Sequence, residues 1–411
     1  MSALQRRALS QGELDVMMAA HERLLEGRPG GRRLMLKFAD LNGLDLVGRN
    51  LSEADFTGAS LERARVVGAR LKDAVFFCAD LIGADFTGAD LTRADLRGAC
   101  LRGATLIDAD LTKADFREGV IAVPHATRGL AEAREELRRG VADGAVFSGA
   151  VLDHSRFDGV TAVKADFTDC SMRGACLNGA NMRDANLSGA LLEDAAVEGT
   201  NLSGAQLRGA VLTGVATDRA TMDRADLTGV LRAPSADAAA KAEKLLEKAL
   251  DANAWAESGG VFGDPAVFDN EDLRPLAGRL QNLKMPGLTA KGACLVGMDL
   301  RKIGLQGACL DDADLRGCDL RDADLRGARL SRALLHKADL RGALISGLPL
   351  GKQRTLPTVL TDAGLRYARL ERAQLEGAHL GGADLTGARL DANALSDEQR
   401  ASLAPSGSRA A

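Results

Sequence analysis

Large apolar side chains recur at every fifth position over most of the chain. From Leu36 the series runs Leu41, Leu46, Leu51, Phe56, Leu61, Val66, Leu71, Phe76, Leu81, Phe86, Leu91, Leu96, Leu101, Leu106, Leu111, Phe116 and Ile121. Two residues ahead of these, from Ala54 to Ala114, stand thirteen alanines without a break. The unit is Ala-(Asp/Asn)-Leu-x-x, as in Ala89-Asp90-Leu91-Thr92-Arg93. The pattern returns in a new phase from Phe147 to Leu227 and again from Leu295 to Ile345, then resumes from Leu360 to Leu395. About 54 units cover about 270 of the 411 residues, the hallmark of a repeat array. A period of five fits neither a 3.6-residue helix nor a two-residue strand. Two inward positions followed by three outward ones predict a coil that turns a corner every five residues.

On these registered units the chain resembles the pentapeptide-repeat family. The resemblance implies an all-β solenoid, a right-handed quadrilateral β-helix in which four units make one square coil, with the central Leu or Phe and the preceding Ala inside. Residues 20 apart in sequence then stack at about 4.8 Å, and about 13 coils would make roughly 65 Å of rod. Phe56, Phe76 and Phe116 fall on one face with Leu96 between them, and Phe147 and Phe167 share another. The interior is expected to be filled by stacked phenyl and leucine side chains, with no volume for a substrate.

The breaks in the period divide the chain. Residues 1–33 precede it. There Ser10-Gln11-Gly12-Glu13 forms a capping box, followed by Leu14, Met17, Met18, His21 and Leu25 at helical spacing and Gly27 as a stop. This helix is expected to cover the first coil's open strand edge; a dimerisation helix, and with it a homodimer, is the alternative. Repeat block one covers 34–123. A helical insertion is expected over 124–144, with Thr127–Arg139 as its helix, as a side excursion from a continuing solenoid. Block two covers 145–232. Residues 233–287 read as a helical connector: an Ala-Lys-rich helix reaching Trp255, then a second from Asn270 to about Leu283 with Leu273, Leu276, Leu280 and Leu283 as its buried face. It could cap block two, cap block three, or join them. Block three covers 288–395, interrupted near 349–358, and 396–411 form a C-terminal cap and polar tail.

Composition narrows the function. Aromatic residues are 3% and Lys+Arg 53 against Asp+Glu 57 leave a net charge of −4, so direct nucleic-acid binding is not expected. Seven cysteines form no C-x-x-C pair, which argues against zinc and for reduced thiols in the cytoplasm. There is no apolar run of membrane-spanning length, and no secretory leader is expected. The five histidines (21, 125, 154, 336 and 379) lack metal-ligand spacing, and His154-Ser155 are neighbours whose side chains would point apart. Gly347-Leu348-Pro349-Leu350-Gly351-Lys352-Gln353 is one residue short of a phosphate loop and has Gln where Ser or Thr should hold Mg²⁺. No catalytic constellation, cofactor or metal site is expected.

The outward positions carry the remaining chemistry. In block three Asp299-Leu300-Arg301, Asp319-Leu320-Arg321 and Asp339-Leu340-Arg341 recur at a spacing of 20, placing an Asp column beside an Arg column. In block one Asp55, Asp95 and Asp115 share a face, interrupted by Val75. The pentapeptide-repeat family includes DNA mimics that bind type II topoisomerases through acidic rods. Block one has 11 basic and 14 acidic residues, net −3; block two, counted over 145–231, 7 and 11, net −4; block three 16 and 13, net +3. A 20 Å stretch of duplex carries about a dozen charges. The expected function is therefore a non-catalytic scaffold that binds a protein partner through its regular faces. A mimic that binds DNA gyrase, and modulates it or protects it from inhibitors, is the second reading.

Overall fold

A hydrogen-bonded turn closes each five-residue unit. The Ala59 N–H donates to the Phe56 carbonyl at 3.0 Å, and Gly58 on that corner has φ 65°. A positive φ at the third turn position is type II geometry. Many corners place a non-glycine there, such as Arg93 at φ 59°, at a cost of about 1–2 kcal/mol each. Gly98 has no such freedom, because a Cβ on it would lie 2.7 Å from Cys78 Sγ. Between corners the backbone is extended and pairs with the coils above and below. The Phe56 N–H donates to Val75 at 2.7 Å, and the Val75 N–H to Ala54 at 2.9 Å. Parallel bridges 20 residues apart (Asp40↔Ser60, Asp45↔Arg65, Asn50↔Arg70, Asp55↔Val75) give the coil four sides.

The computed structural model describes residues 6–403 except 126–128 and 352–353, and no side chain within 123–134. It contains two units, Met1–Ala233 and Pro234–Ala411. In the first, a two-residue strand β1 (Arg7–Ala8) leads into helix α1 (Gln11–Leu25), whose Ser10–Glu13 capping box is formed. Leu14 and Met18 of α1 are buried in the solenoid's own core. β1 pairs in parallel with β2 (Ala39–Asp40). The Gln11 side chain bonds the Asp45 N–H and carbonyl at 2.8 and 2.9 Å, and Glu22 accepts the Asn50 N–H at 3.0 Å. His21 lies between the Leu34 N–H and the Ser52 carbonyl. Each of these groups bonds the backbone of the solenoid's first coil, whose strand edge carries donors and acceptors that need partners.

The core is stacked as the period demands. The Phe56 and Phe76 ring centroids lie 4.8 Å apart and 3° from parallel, and Phe147 and Phe167 likewise at 4.8 Å and 4°. Where Ser, Thr or Cys replaces the inward Ala, its side chain donates to a core-facing carbonyl: Cys170 to Phe147, Thr200 to Leu177 and Ser155 to Leu152. Burial without such a partner would cost about 1–3 kcal/mol. The ladder runs straight from block one into block two: Cys100↔Val141, Thr105↔Val146, Asp110↔Val151 and Asp115↔Arg156. Phe116 stacks on Phe157 across this junction at 4.2 Å.

The segment inserted there is not helical. It is an antiparallel hairpin of β3 (Gly119–His125) and β4 (Gly129–Arg138), correcting the helix expected over 127–139, of which Thr127 and Arg128 lie outside the described residues. Ile121 is buried, and Arg138 bonds the Cys78 carbonyl and Asp80. Asp80 also receives Arg6 from the N-terminal arm. An excursion that must leave and re-enter at one coil is closed by pairing its two arms, and this overrides a weak helix preference.

In the second unit α2 (Ala236–Glu257) is capped by Ser235 and packs Leu245, Leu246, Ala249 and Ala252 into the core of block three. Arg279 pairs with Glu243 at 2.6 Å, and the Lys284 N–H donates to Asn253 at 2.9 Å. The second helix expected over 270–283 is absent. The solenoid restarts earlier, through Val267↔Thr289 and Asp272↔Cys294, with a single 3-10 turn at Arg274–Leu276. Two extra residues in this first coil space Leu273, Leu276 and Leu280 as on a helix, yet all three point into the solenoid. The later interruption is a short hairpin of β5 (Leu348–Pro349) and β6 (Thr355–Leu356), after which the ladder resumes at Arg329↔Val359. Helix α3 (Asp397–Ser402) lies on the final coil. Its Gln399 side chain donates to the Leu375 and Ala378 carbonyls at 2.7 and 3.0 Å.

Candidate interaction surfaces

The aspartate before each central residue first serves its own turn. Asp85 accepts the Thr87 N–H at 2.9 Å and its hydroxyl at 2.6 Å, and Asp90–Thr92, Asp110–Thr112 and Asp166–Thr168 repeat the arrangement. This is an Asx turn, and it explains why Asp and Asn dominate that position. Where Arg follows instead of Thr, the guanidinium folds back on the same carboxylate.

The block-one column is assembled as expected, Asp55↔Val75↔Asp95↔Asp115, but its charge is compensated. Lys37 lies 3.2 Å from Asp55, Arg97 holds Asp95 through two bonds of 2.9 and 2.8 Å, and Arg117 holds Asp115 at 3.0 and 2.7 Å. Burial works to raise the pKa of Asp115, yet the Arg117 side chain and backbone N–H outweigh it and hold the group below the usual carboxylate range. Asp55 is lowered in the same way, against burial, by Thr57 and Lys37. The column continues into an inverted rung, Arg156 with Asp158.

The block-three ladder has the same logic. Arg301, Arg321 and Arg341 each grip the Asp two residues back through bonds of 2.8–2.9 and 2.6 Å. Arg301 also approaches Asp319, and Arg321 approaches Asp339, both at 3.7 Å, which ties successive coils together. Gln281 opens the column on Asp299 at 2.7 Å. Arg369, bridged to Asp339, continues it with the polarity reversed against Glu371, and Arg389 follows on the next coil. The Arg301 hydrogen bond pulls the pKa of Asp299 down; at Asp339 burial opposes the shift but Arg341 prevails. The same rung occurs on other faces, Asp314–Arg316 and Asp324–Arg326, so the chosen column is one of several. Their Asp-Leu-Arg triplets stand in the sequence equally plainly.

One surface feature was not read from sequence. After α2, the Ser258 hydroxyl accepts the Val261 and Phe262 N–H groups at 3.2 and 2.9 Å. The knuckle leaves Val261 and Phe262 72% and 69% exposed, in a chain whose other phenyl rings are buried or half-buried. The signal was an apolar pair inside Gly259-Gly260-Val261-Phe262-Gly263.

Among the described residues no His, Cys, Asp and Glu group is placed to hold a metal, and no helix is long and apolar enough to cross a membrane. His154 sits on a turn corner at φ 57° while Ser155 points inward, so the two do not form a pair. Burial pushes the Cys78 thiol up to about 11, leaving it protonated at neutral pH. A depression of about 420 Å³ beside α3 is lined by His379, Ser396, Glu398 and Ser402. Both hydroxyls there are bonded to the backbone of Gln399.

A sequence model described as Pentapeptide repeats matches eight times, at residues 36–73, 54–93, 89–118, 150–189, 185–229, 289–322, 308–347 and 358–392. Among solved structures, HetL from the cyanobacterium Nostoc sp. strain PCC 7120, a pentapeptide repeat protein involved in heterocyst differentiation regulation, is 27% identical. That match covers 48% of this chain and 80% of HetL at a TM-score of 0.42. Full-length QnrB1, a plasmid-mediated fluoroquinolone resistance protein, is 18% identical over 52% of this chain and 98% of its own, at a TM-score of 0.23. Rfr23 from the cyanobacterium Cyanothece 51142 is 24% identical over 34% and 90%, at 0.17. No curated protein matches. With the repeat matched over more than half of its length and four-sided coils 20 residues long, the chain belongs to the pentapeptide-repeat family and folds as a right-handed β-helix.

Proposed function

We propose that the protein is a non-catalytic scaffold that holds a protein partner on the outer faces of its β-helix. The observation that carries this reading is where the chemistry lies. The inward positions are filled by buried Leu, Phe and Ala, whereas regular columns of Asp and Arg stand outside at one rung per coil. Long, repetitive outer surfaces are what solenoids use for binding. In the same reading α1 and α3 cap coil ends, and α2 caps the start of block three as well as connecting it to block two. The block-three ladder, Asp299, Arg301, Asp319, Arg321, Asp339 and Arg341, is the leading surface.

The test replaces the three Asp with Asn and the three Arg with Gln. Asn keeps the turn acceptor, as Asn186 does for the Ser188 N–H at 3.1 Å, so the fold should survive with an unchanged melting temperature. A partner captured by the wild type and lost by this variant supports the ladder. Equal capture moves the surface elsewhere, and a wild type that retains no partner removes the scaffold reading. Topoisomerase binding by DNA mimicry ranks second, because Asp55, Asp95 and Asp115 are each tied to a cation or hydroxyl of the same chain.

A further inference from the structure

His21 has no exposed surface, and both of its ring nitrogens are committed. The Leu34 N–H can only donate, so Nδ1, 3.1 Å away, must accept. The Ser52 carbonyl can only accept, so Nε2, at 2.9 Å, must carry the proton. The pair of bonds therefore selects one neutral tautomer. A second proton would have to enter at Nδ1, where it would face the Leu34 N–H.

We propose that His21 is a proton-operated latch that holds α1 on the first coil while neutral and releases it on acidification, uncovering a strand edge that a coil or strand can join. The other fasteners do not titrate in the same range. Gln11 is neutral, Leu14 and Met18 are apolar, and Glu22 is kept charged to lower pH by the Arg49 guanidinium, bound at 2.9 and 2.8 Å. Around His21 itself burial is the largest influence and disfavours the imidazolium. Arg33 adds to that effect, while the Ser52 carbonyl, Glu22 and Glu53 oppose it without overcoming it. A pKa lowered on folding gives stability that is complete above the ordinary value of about 6.5 and is lost as pH falls through the folded value. Between about 6.5 and the folded value each pH unit weakens the latch about tenfold, and below the folded value the loss is complete.

The experiment is hydrogen exchange of the full chain at pH 7.5 and 5.0, corrected for intrinsic exchange rates and read over residues 11–34. The wild type should lose protection in α1 at least tenfold more than in the middle of block one. His21→Gln offers a carbonyl to Leu34 and an N–H to Ser52 without titrating, so its α1 protection should not depend on pH. Equal wild-type protection at both pH values, or the same acid loss in His21→Gln, overturns the latch. Should His21→Gln misfold, the wild type decides alone. The imidazole titration of His21, followed by NMR, must then coincide with the loss of α1 protection, and a His21 that titrates at or above 6.5, or apart from that loss, overturns it.

Discussion

At the scale of one residue, a position in the repeat is defined by what its atoms must satisfy rather than by its charge. Asp85 looks like a surface acid, yet its Oδ1 holds both the N–H and the hydroxyl of Thr87. Leu96, one coil position later in role, has 1% of its surface exposed and sits between core neighbours above and below. The two should respond differently to substitution. Leu96→Asp puts an unpaired carboxylate into an apolar stack and should melt block one. Asp85→Ala strands a turn N–H and should cost about 1 kcal/mol, whereas Asp85→Asn keeps the acceptor and should be close to neutral. Thermal unfolding of the three variants checks the register. Equal melting temperatures for Leu96→Asp and Asp85→Asn would overturn it.

At the scale of the element, the coils were legible from sequence and the interruptions were not. The fivefold spacing survives because each unit closes its own turn and repeats the same inward pair, so dozens of local signals agree. Residues 127–139 and 270–283 carry a helix-like spacing of apolar groups, and among the described residues neither stretch is an α-helix. In the first, what decides is the need to return to Val141 opposite Cys100 and the docking of Ile121 and Arg138 on block one. In the second, a coil two residues longer than its neighbours imitates a helical stripe. α1 was visible because its capping box, stripe and glycine stop are local. Which backbone groups it serves was not, since Gln11, His21 and Glu22 reach residues 28–34 positions away or turn back from Leu34 across 13. Those bonds serve the first coil's edge, so deleting residues 1–33 should leave an open parallel edge and drive association. Light scattering after size exclusion should find oligomers at micromolar concentration. A monomeric truncation with the wild-type melting temperature would show that α1 is no cap.

At the scale of the whole molecule, charge is compensated within the candidate aspartate columns and not merely in the sum of −4. In the Asp95–Asp115 and Asp299–Asp319–Asp339 columns the aspartates acquire arginines two residues on, and in each unit a reversed rung follows an insertion, Arg156 with Asp158 and Arg369 with Glu371. Exposed pairs of this kind contribute about 0–1 kcal/mol each, so their main effect is to cancel the repulsion that like charges stacked at the strand spacing would suffer. That cancellation bears directly on DNA mimicry, which needs carboxylates left available where phosphates would sit. Asp55, Asp95 and Asp115 span about 14 Å over three coil steps, a length on which a duplex presents about eight phosphates. All three already face a cation of this chain. A gyrase supercoiling assay with micromolar protein at moderate salt should therefore show no inhibition. Inhibition that weakens as salt rises, and disappears when Asp55, Asp95 and Asp115 become Asn, would reverse the order of the two readings. Inhibition that survives those substitutions would place the gyrase contact on another face and set the scaffold's partner as the topoisomerase itself.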